Sequence, residues 1–133
     1  MPKTLPEKFF IKEGYEIAVL NAPQMFFTKQ FAPLPKDATV TTQLNQGPYD
    51  VIIAFVTTAS ETAHFLQPVR QAMKPGSFVW FCYPKGGIKA KIATDMNRDS
   101  LAELVMESGL RPVHQMSIDG TWSGLRFRVD SKE

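Results

Sequence analysis

Residues 50 to 56 read D-V-I-I-A-F-V, and residues 77 to 83 read S-F-V-W-F-C-Y. Both runs are apolar almost throughout, whereas a strand with one wet face alternates apolar and polar side chains. A strand that is apolar on both sides must be covered on both sides, and this is typical of parallel strands at the centre of an α/β sheet. These two stretches therefore predict two central parallel strands.

The segments before and between these runs predict further elements. Residues 15 to 20 and residues 38 to 44 are rich in β-branched and apolar side chains and are followed by turn residues, which predicts two more strands. The stretch after residue 56 has apolar positions at helical spacing and can begin at Ser60 as N-cap. We expect Pro68 to kink or divide this helix, because proline lacks the amide proton, and residues 74 to 76 to stop it.

The last third of the chain predicts one helix and one hairpin. Apolar residues from 101 to 105 mark a helix face that ends at Gly109, a residue suited to a left-handed conformation. The start of this helix stays open between three N-cap candidates, which are Thr94, Asn97 and Ser100. Asp119 and Gly120 then separate two alternating segments, which is a strong hairpin signal.

Strands that alternate with helices, followed by a hairpin, predict an α/β fold. We expect a Rossmann-like, three-layer αβα architecture whose mostly parallel sheet ends in an antiparallel β-hairpin. The 133 residues are a usual length for one domain. We therefore predict a single domain over residues 1–133, with an ordered core over about residues 13–129.

Composition excludes several classes of protein. The 44% hydrophobic and 21% charged fractions are typical of a globular domain, and the formal net charge of +2 is too small for a typical nucleic-acid-binding protein. The single cysteine, Cys82, lies in an apolar run, which predicts a buried and unreactive thiol. No window is apolar enough to cross a membrane, and we expect a cytoplasmic protein.

In such a sheet, ligands bind beyond the carboxyl ends of the strands, where the strand order reverses. Asn21 follows the first strand, and Lys85 follows the fourth strand ahead of Gly86 and Gly87. A lysine beside two glycines suits an anionic ligand, because it offers an ammonium group and exposed backbone N–H groups. The alternative is an ordinary solvated turn.

Asn97 and Arg98 lie at the start of the second helix. Asn97 stands one turn before the apolar helix face and is therefore expected to face the sheet, where it and Arg98 would contact a ligand. The alternative is structural: Asp95 or Asp99 caps the helix, Arg98 forms an ion pair with one of them, and Asn97 satisfies loop backbone groups. Trp122 completes the candidate site, either as a stacking surface for a planar ligand or as a packing residue.

Four motifs carry a resemblance to known proteins: N-A-P (21–23), Y-P-K-G (83–86), T-D-M-N-R-D-S-L (94–101) and D-G-T-W-S-G-L-R-F (119–127). With the order of segments, they resemble a family of small bacterial proteins known only as a domain of unknown function. That family resembles a reduced class I S-adenosylmethionine-dependent methyltransferase. The resemblance covers roughly residues 13 to 129 and implies the methyltransferase-like fold without an assigned activity.

Two departures from true methyltransferases disfavour S-adenosylmethionine as a cofactor. In those enzymes the turn after the first strand is rich in glycine, whereas residues 21 to 23 contain none. An acidic residue commonly ends their second strand and binds the ribose hydroxyls. Here only the amides of Gln43, Asn45 and Gln46 are available, and they lack the charge-assisted strength of a carboxylate.

The sequence therefore favours a Rossmann-like small-ligand-binding or accessory domain without methyltransferase activity, and leaves open whether the chain is an enzyme. One alternative is a divergent S-adenosylmethionine-dependent methyltransferase. Another is a structural module that forms a homodimer through the hairpin around Trp122 and Phe127. The expected partner is a small-molecule or anionic ligand; the lysines of residues 85 to 91 lack interleaved aromatic residues, so nucleic acid is disfavoured.

Other chemistry is disfavoured as well. Ser123 has two candidate histidine partners, His64 and His114, but neither comes with an orienting acid at a characteristic spacing. Two distant histidines and one cysteine do not form a metal-ligand set, so no metal site is expected.

Overall fold

The computed structural model describes residues 4–23, 26, 31, 33–44, 47–86 and 92–129. Three helices and six strands occur in these residues. In chain order they are α1 (Leu5–Lys8), β1 (Glu16–Leu20), β2 (Thr39–Thr41), β3 (Tyr49–Phe55), α2 (Ala59–Ala72), β4 (Met73–Pro84), α3 (Arg98–Met106), β5 (Leu110–Ser117) and β6 (Trp122–Val129).

The strands form one six-stranded sheet in the order β2-β1-β3-β4-β6-β5. β2, β1, β3 and β4 are parallel to one another, whereas β6 is antiparallel to both β4 and β5. The prediction of a Rossmann-like α/β fold with a mostly parallel sheet and a closing antiparallel hairpin is confirmed.

β3 and β4 lie at the centre of the sheet, as their composition requires. Ile53 is paired with Trp80 across the two strands, and both side chains are fully buried. Side chains on the two sides of these strands enter two separate hydrophobic clusters, one on each face of the sheet. The continuous apolar runs are thus explained by burial of both faces.

Helices α2 and α3 cover one face. Val69 of α2 and Leu101 of α3 are completely buried in a cluster with Ile52, Val79 and Phe127 of the sheet. Burial of a side chain of this size stabilises the fold by about 1.5–3 kcal/mol.

Aromatic side chains fill the opposite face. Phe9, just after α1, contacts Trp80 edge to face with ring centroids 5.2 Å apart, and its carbonyl accepts the Trp80 Nε1–H at 3.2 Å. Phe26 stacks on Phe31 at 5.0 Å and meets Phe55 edge to face, also at 5.0 Å. This layer therefore consists largely of aromatic residues from the N-terminal segment and from the connection after β1.

α2 runs without interruption through Pro68, so the prediction that proline would divide it is wrong. Pro68 has no N–H to donate to the carbonyl of His64, one turn earlier. Both residues lie on the exposed side of the helix, where water can satisfy that carbonyl. The helix also begins earlier than expected. Thr58, not Ser60, is the N-cap, and its side chain accepts the Glu61 N–H.

Two strands differ from their predicted lengths. β2 spans Thr39–Thr41 rather than residues 38 to 44. β4 begins at Met73, directly after α2. Met73 pairs with Tyr49 and Phe78 pairs with Val51, so residues 74 to 77 form a bulge between the two pairs. Gly76 adopts a φ of +84° within this bulge. The helix stop predicted at residues 74 to 76 is therefore followed at once by a strand.

No helix within the described parts of the chain is long and apolar enough to cross a membrane.

Gly124 on β6 provides a test of the packing around Trp80. A Cβ atom at this position would lie 3.1 Å from Trp80 Cε3 and 3.5 Å from Ile118 Cδ1. Trp80 is fully buried and its indole N–H is hydrogen-bonded, so the ring cannot easily move away. We expect Gly124→Ala to lower the free energy of unfolding by about 1–3 kcal/mol, measured by urea denaturation.

Gly86→Ala is the matched control. Gly86 is exposed and a Cβ atom there meets nothing within 4 Å, so its stability should change by less than about 0.5 kcal/mol. Equal stabilities of the two variants would contradict the tight packing of Gly124 against the indole.

Candidate functional site

The order of the strands reverses between β1 and β3. From β1 the chain first adds β2 on one side and then crosses to β3 on the other side. β1 ends at Leu20 and β3 ends at Phe55, so their carboxyl ends lie next to each other. In an open α/β sheet this is the position at which a crevice for ligands forms.

Asn21 lies at this point, as predicted from the sequence. Its φ is +61°, a left-handed conformation that asparagine tolerates better than most residues. The Asn21 Nδ2 group donates one hydrogen bond to the Phe55 carbonyl at 2.9 Å and another to Glu61 Oε2 at 2.9 Å. The amide therefore links the end of β1 to the end of β3 and to the first turn of α2.

Glu61 is the carboxylate of this site, and the sequence interpretation missed it. Its Oε1 accepts the Thr57 N–H at 2.7 Å and the Thr57 hydroxyl at 3.3 Å, while Oε2 accepts from Asn21. The half-buried side chain lies at the positive end of α2, where a carboxylate is stabilised. The spacing of Thr58 and Glu61, that of a capping box, is the signal that could have identified it.

Asp95 connects this region to the loop before α3. Its Oδ1 accepts the Ala59 N–H at 2.8 Å, so it satisfies an amide in the first turn of α2. The expectation that Asp95 or Asp99 caps the second predicted helix is therefore wrong, because Asp95 serves the other helix and Asn97 is the N-cap. The ion pair expected in the same structural alternative is present between Arg98 and Asp99.

Asn97 is the N-cap of α3, which decides between the three candidates. Its Oδ1 accepts the Ser100 N–H at 2.9 Å, and the Ser100 hydroxyl accepts the Asn97 N–H at 3.0 Å. Asn97 is exposed and does not face the sheet as expected. Met96 occupies that position, buried and with its sulfur 3.3 Å from the Thr62 hydroxyl. The residue that faces the sheet before α3 is therefore Met96, one position earlier than the sequence suggested.

Arg98 belongs to a chain of polar contacts that leads to β4. Its Nε lies 3.2 Å from Asp99 Oδ1, and its Nη1 donates to Gln115 Oε1 at 3.3 Å. Gln115 in turn donates to the Tyr83 hydroxyl oxygen at 3.1 Å. Burial raises the pKa of Tyr83 despite the opposing charge of Arg98, so the phenol stays protonated at neutral pH.

Lys85 and Trp122 are held by the hairpin. The Lys85 Nζ group donates to the Ser117 hydroxyl at 2.6 Å, and the Lys85 N–H donates to the Thr121 carbonyl at 2.8 Å. Trp122 is 8% exposed and meets Phe55 edge to face at 5.0 Å, which is the packing alternative considered for this residue. Gly87 and the lysines at 89 and 91 lie outside the described residues.

The structure thus groups the candidate residues into three sets. Asn21 forms a set with Glu61 and Thr57, Arg98 forms a set with Gln115 and Tyr83, and Lys85 is bound to the hairpin. The second and third sets both contact the hairpin, through Gln115 and Ser117 of β5, whereas the first set connects β1, β3 and α2. Of the amides predicted to replace a ribose-binding acid, Gln43 is described, whereas Asn45 and Gln46 lie outside the described residues.

The candidate nucleophiles and metal ligands of the described residues lie apart from one another and do not form a common site. Burial, with a smaller contribution from the Asp119 charge, raises the pKa of the fully buried Cys82 thiol well above its ordinary value, in agreement with an unreactive cysteine. Ser123 faces the helical layer beside Tyr83, whereas His114 lies on the aromatic face near Phe10. Within the described residues, no group of three metal-ligating side chains occurs.

Solved structures show the same architecture. A SAM-dependent methyltransferase from Aquifex aeolicus is 12% identical, with a TM-score of 0.66 over 91% of this chain and 85% of the other. The Methanococcus jannaschii fibrillarin pre-rRNA processing protein is 14% identical, with a TM-score of 0.66 over 98% of this chain and 71% of the other. Aeropyrum pernix fibrillarin, in complex with S-adenosyl-L-methionine, is 11% identical, with a TM-score of 0.60 over 88% and 67%.

At these identities the likeness establishes the fold: this is the methyltransferase-like Rossmann architecture, as the motifs implied. No protein-family model and no curated protein matches the chain.

Removal of the Glu61 carboxylate should destabilise the protein. Glu61→Ala leaves the Thr57 N–H and the Asn21 amide without their acceptor, and hydrogen bonds to a charged group contribute about 1.5–3 kcal/mol each before solvent screening. We expect a loss of about 1–3 kcal/mol in the free energy of unfolding, measured by urea denaturation. Glu103→Ala, at an exposed position on α3, is the control and should change stability by less than about 0.5 kcal/mol. A Glu61→Ala protein as stable as the control would refute this link between β1, β3 and α2.

Proposed function

We propose that this protein binds an S-adenosyl ligand at the carboxyl edge of its sheet, as a divergent methyltransferase. The observation that carries the proposal is the agreement in fold, over about nine-tenths of the chain, with a SAM-dependent methyltransferase and with a fibrillarin in complex with S-adenosyl-L-methionine. In this fold the crevice between the ends of β1 and β3 is the place at which a ligand is expected.

The residues at that crevice suit one part of the ligand. The Glu61 carboxylate is half-buried, and a carboxylate can accept hydrogen bonds from hydroxyl groups such as those of a ribose. Asn21 adds an amide that already lies against the ends of two strands. Together they would hold the hydroxyl groups, and the bound cofactor would supply an electrophilic methyl group.

Other features oppose a close approach of the ligand. The turn at residues 21 to 23 contains no glycine, and the Asn21 side chain spans the two strand ends through its hydrogen bonds to Phe55 and Glu61. This observation favours a second candidate function. In it the domain keeps the fold, no longer binds the cofactor, and serves as a binding or accessory module for a different small molecule.

Calorimetric titration with S-adenosylhomocysteine separates the two candidates. If the protein binds the adenosyl group, the wild-type protein should give a Kd in the micromolar range, and Glu61→Gln should weaken binding about tenfold or more. The amide keeps the size of the side chain but loses the charge-assisted acceptor. Glu103→Gln is the control and should bind as the wild type does.

Absence of heat at millimolar ligand, repeated at a second temperature to exclude an accidental enthalpy of zero, would overturn the methyltransferase proposal and support the accessory module. Asn21→Gly then tests whether the amide blocks the crevice, because glycine accepts the left-handed backbone at this position. Binding that appears only in Asn21→Gly would identify the Asn21 side chain as the obstacle.

A further inference from the structure

A cavity of about 590 Å³ lies at the opposite edge of the sheet, where β4 and β5 begin and β6 ends. Four basic residues line it: Arg70, Lys74, Arg111 and Arg128. They come from three separate regions of the sequence, so no single run of charges signals the cluster. Its volume is in the range of small-molecule sites.

The bulge of β4 forms one wall of this cavity. The Ser77 hydroxyl is buried and accepts the Lys74 N–H at 3.1 Å, and the Gly76 carbonyl accepts from Arg128 Nη2 at 3.3 Å. Lys74 also forms an ion pair with Asp50 at 2.9 Å. These contacts hold the bulge and Arg128 in place beside the cavity.

Arg70 is held at a second wall. Its Nε donates to the Ser108 carbonyl at 3.2 Å, at the end of α3, where a cation is stabilised by the helix dipole. A Cβ atom at Gly109 would lie 4.0 Å from the Arg70 guanidinium, which is an ordinary van der Waals contact, so the glycine is favoured by its φ of +88° and not by space. The hydrogen bond of Nε places the guanidinium at this wall, and no described carboxylate pairs with it.

Arg111 and Arg128 are directly opposite each other on β5 and β6. Like charges at paired positions of an antiparallel ladder are destabilising. Arg126, two residues before Arg128, is a further cation on this strand. Burial lowers the pKa of Arg126, and the nearby charge of Arg128 lowers it further. Among the described residues, the ion pairs are Lys74–Asp50 and Arg98–Asp99, so Arg70, Arg111 and Arg128 have no described carboxylate partner.

We propose that this cavity is a binding site for a small phosphorylated molecule. Three guanidinium groups that have no carboxylate partner among the described residues match the multiple negative charges and the planar sets of oxygens that phosphate groups present. A single carboxylate carries too little charge to compensate three cations. The cationic groups surround one cavity in a chain whose net charge is only +2, which favours a compact anion over the extended backbone of a nucleic acid.

This site is independent of the adenosyl ligand proposed above, because it lies at the other edge of the sheet and uses different residues. Binding at one edge can therefore fail while binding at the other succeeds.

Calorimetric titration with pyrophosphate at about 50 mM salt tests the proposal. We expect saturable binding with one site, weakened about tenfold or more in Arg111→Gln and in Arg128→Gln. Lys36→Gln is the control, because this exposed lysine precedes β2 at the far side of the sheet and should leave binding unchanged. Arg111→Lys separates charge from geometry: a partial loss is expected, since lysine keeps the charge but not the two-pronged donor.

Folding of the variants is verified by thermal denaturation. Arg111→Gln removes the like-charge repulsion with Arg128, so its melting temperature should stay equal or rise. Arg128→Gln also loses the hydrogen bond to the Gly76 carbonyl, so for this variant the melting temperature only verifies that the protein is folded. In ¹⁵N-resolved NMR spectra, pyrophosphate should shift the amide signals of Gly76 and Ser77 in the bulge.

Two further probes, inorganic phosphate and short oligonucleotides, have defined outcomes. Inorganic phosphate that binds as tightly as pyrophosphate supports the site and shows that one phosphate group is recognised. Oligonucleotides of about twelve nucleotides that bind more tightly than pyrophosphate, with a steep salt dependence, would overturn the proposal in favour of a nucleic-acid surface. An absence of pyrophosphate binding at 10 mM, or equal weakening in Lys36→Gln, would also overturn it.

Discussion

The parallel pairing of β3 with β4, buried on both faces, is the constraint on which the rest of the structure depends. Buried backbone N–H and C=O groups must find partners, and these two strands satisfy them by pairing with each other and with β1 and β6. Because both faces of the pair are apolar, one side requires the layer of α2 and α3 and the other requires the aromatic layer around Trp80. The two proposed ligand sites lie at the two ends of this central pair.

The carboxyl edge is built from groups that serve helix starts and strand ends. Asp95 and Asn97 each accept an N–H from the first turn of a helix, and Glu61 accepts the N–H of Thr57, two residues before α2. These bonds stabilise the fold, and they also fix polar groups where the methyltransferase fold presents ligands. Asn21 has two structural roles here, since it tolerates the left-handed turn and joins β1 to β3.

The edge of the sheet at which β4 and β5 begin, the amino edge, has a different electrostatic character. At the carboxyl edge, the carboxylates Glu61 and Asp95 accept hydrogen bonds from neighbouring N–H groups. At the amino edge, arginines from α2, β5 and β6 lie around one cavity without described carboxylate partners. The bulge at residues 74 to 77 contributes to this difference, because it turns the start of β4 into a wall of that cavity. A chain of nearly neutral net charge thus has two edges suited to different ligands.

Local sequence patterns were sufficient to predict the α/β class, the two central strands, the closing hairpin at Asp119 and Gly120, and the buried state of Cys82. These features follow from local composition: continuous apolar runs demand two covered faces, and turn residues mark their own positions. Asn21 and Lys85 were also located correctly at the carboxyl edge, because that edge follows from the strand ends alone. The continuity of α2 through Pro68 and the orientation of Asn97 were not predictable in this way, since each depends on which side of a helix faces water.

The contacts between distant side chains depend on the folded arrangement of the strands and helices. Asn21 and Glu61 are separated by forty residues, and the four basic residues of the amino edge come from three distant segments. Strand order and the register of β5 on β6 bring such groups together, and neither leaves a local signal in the sequence. Periodicity reports whether a residue is buried, whereas a site is defined by partners across the sheet, which only the folded chain specifies.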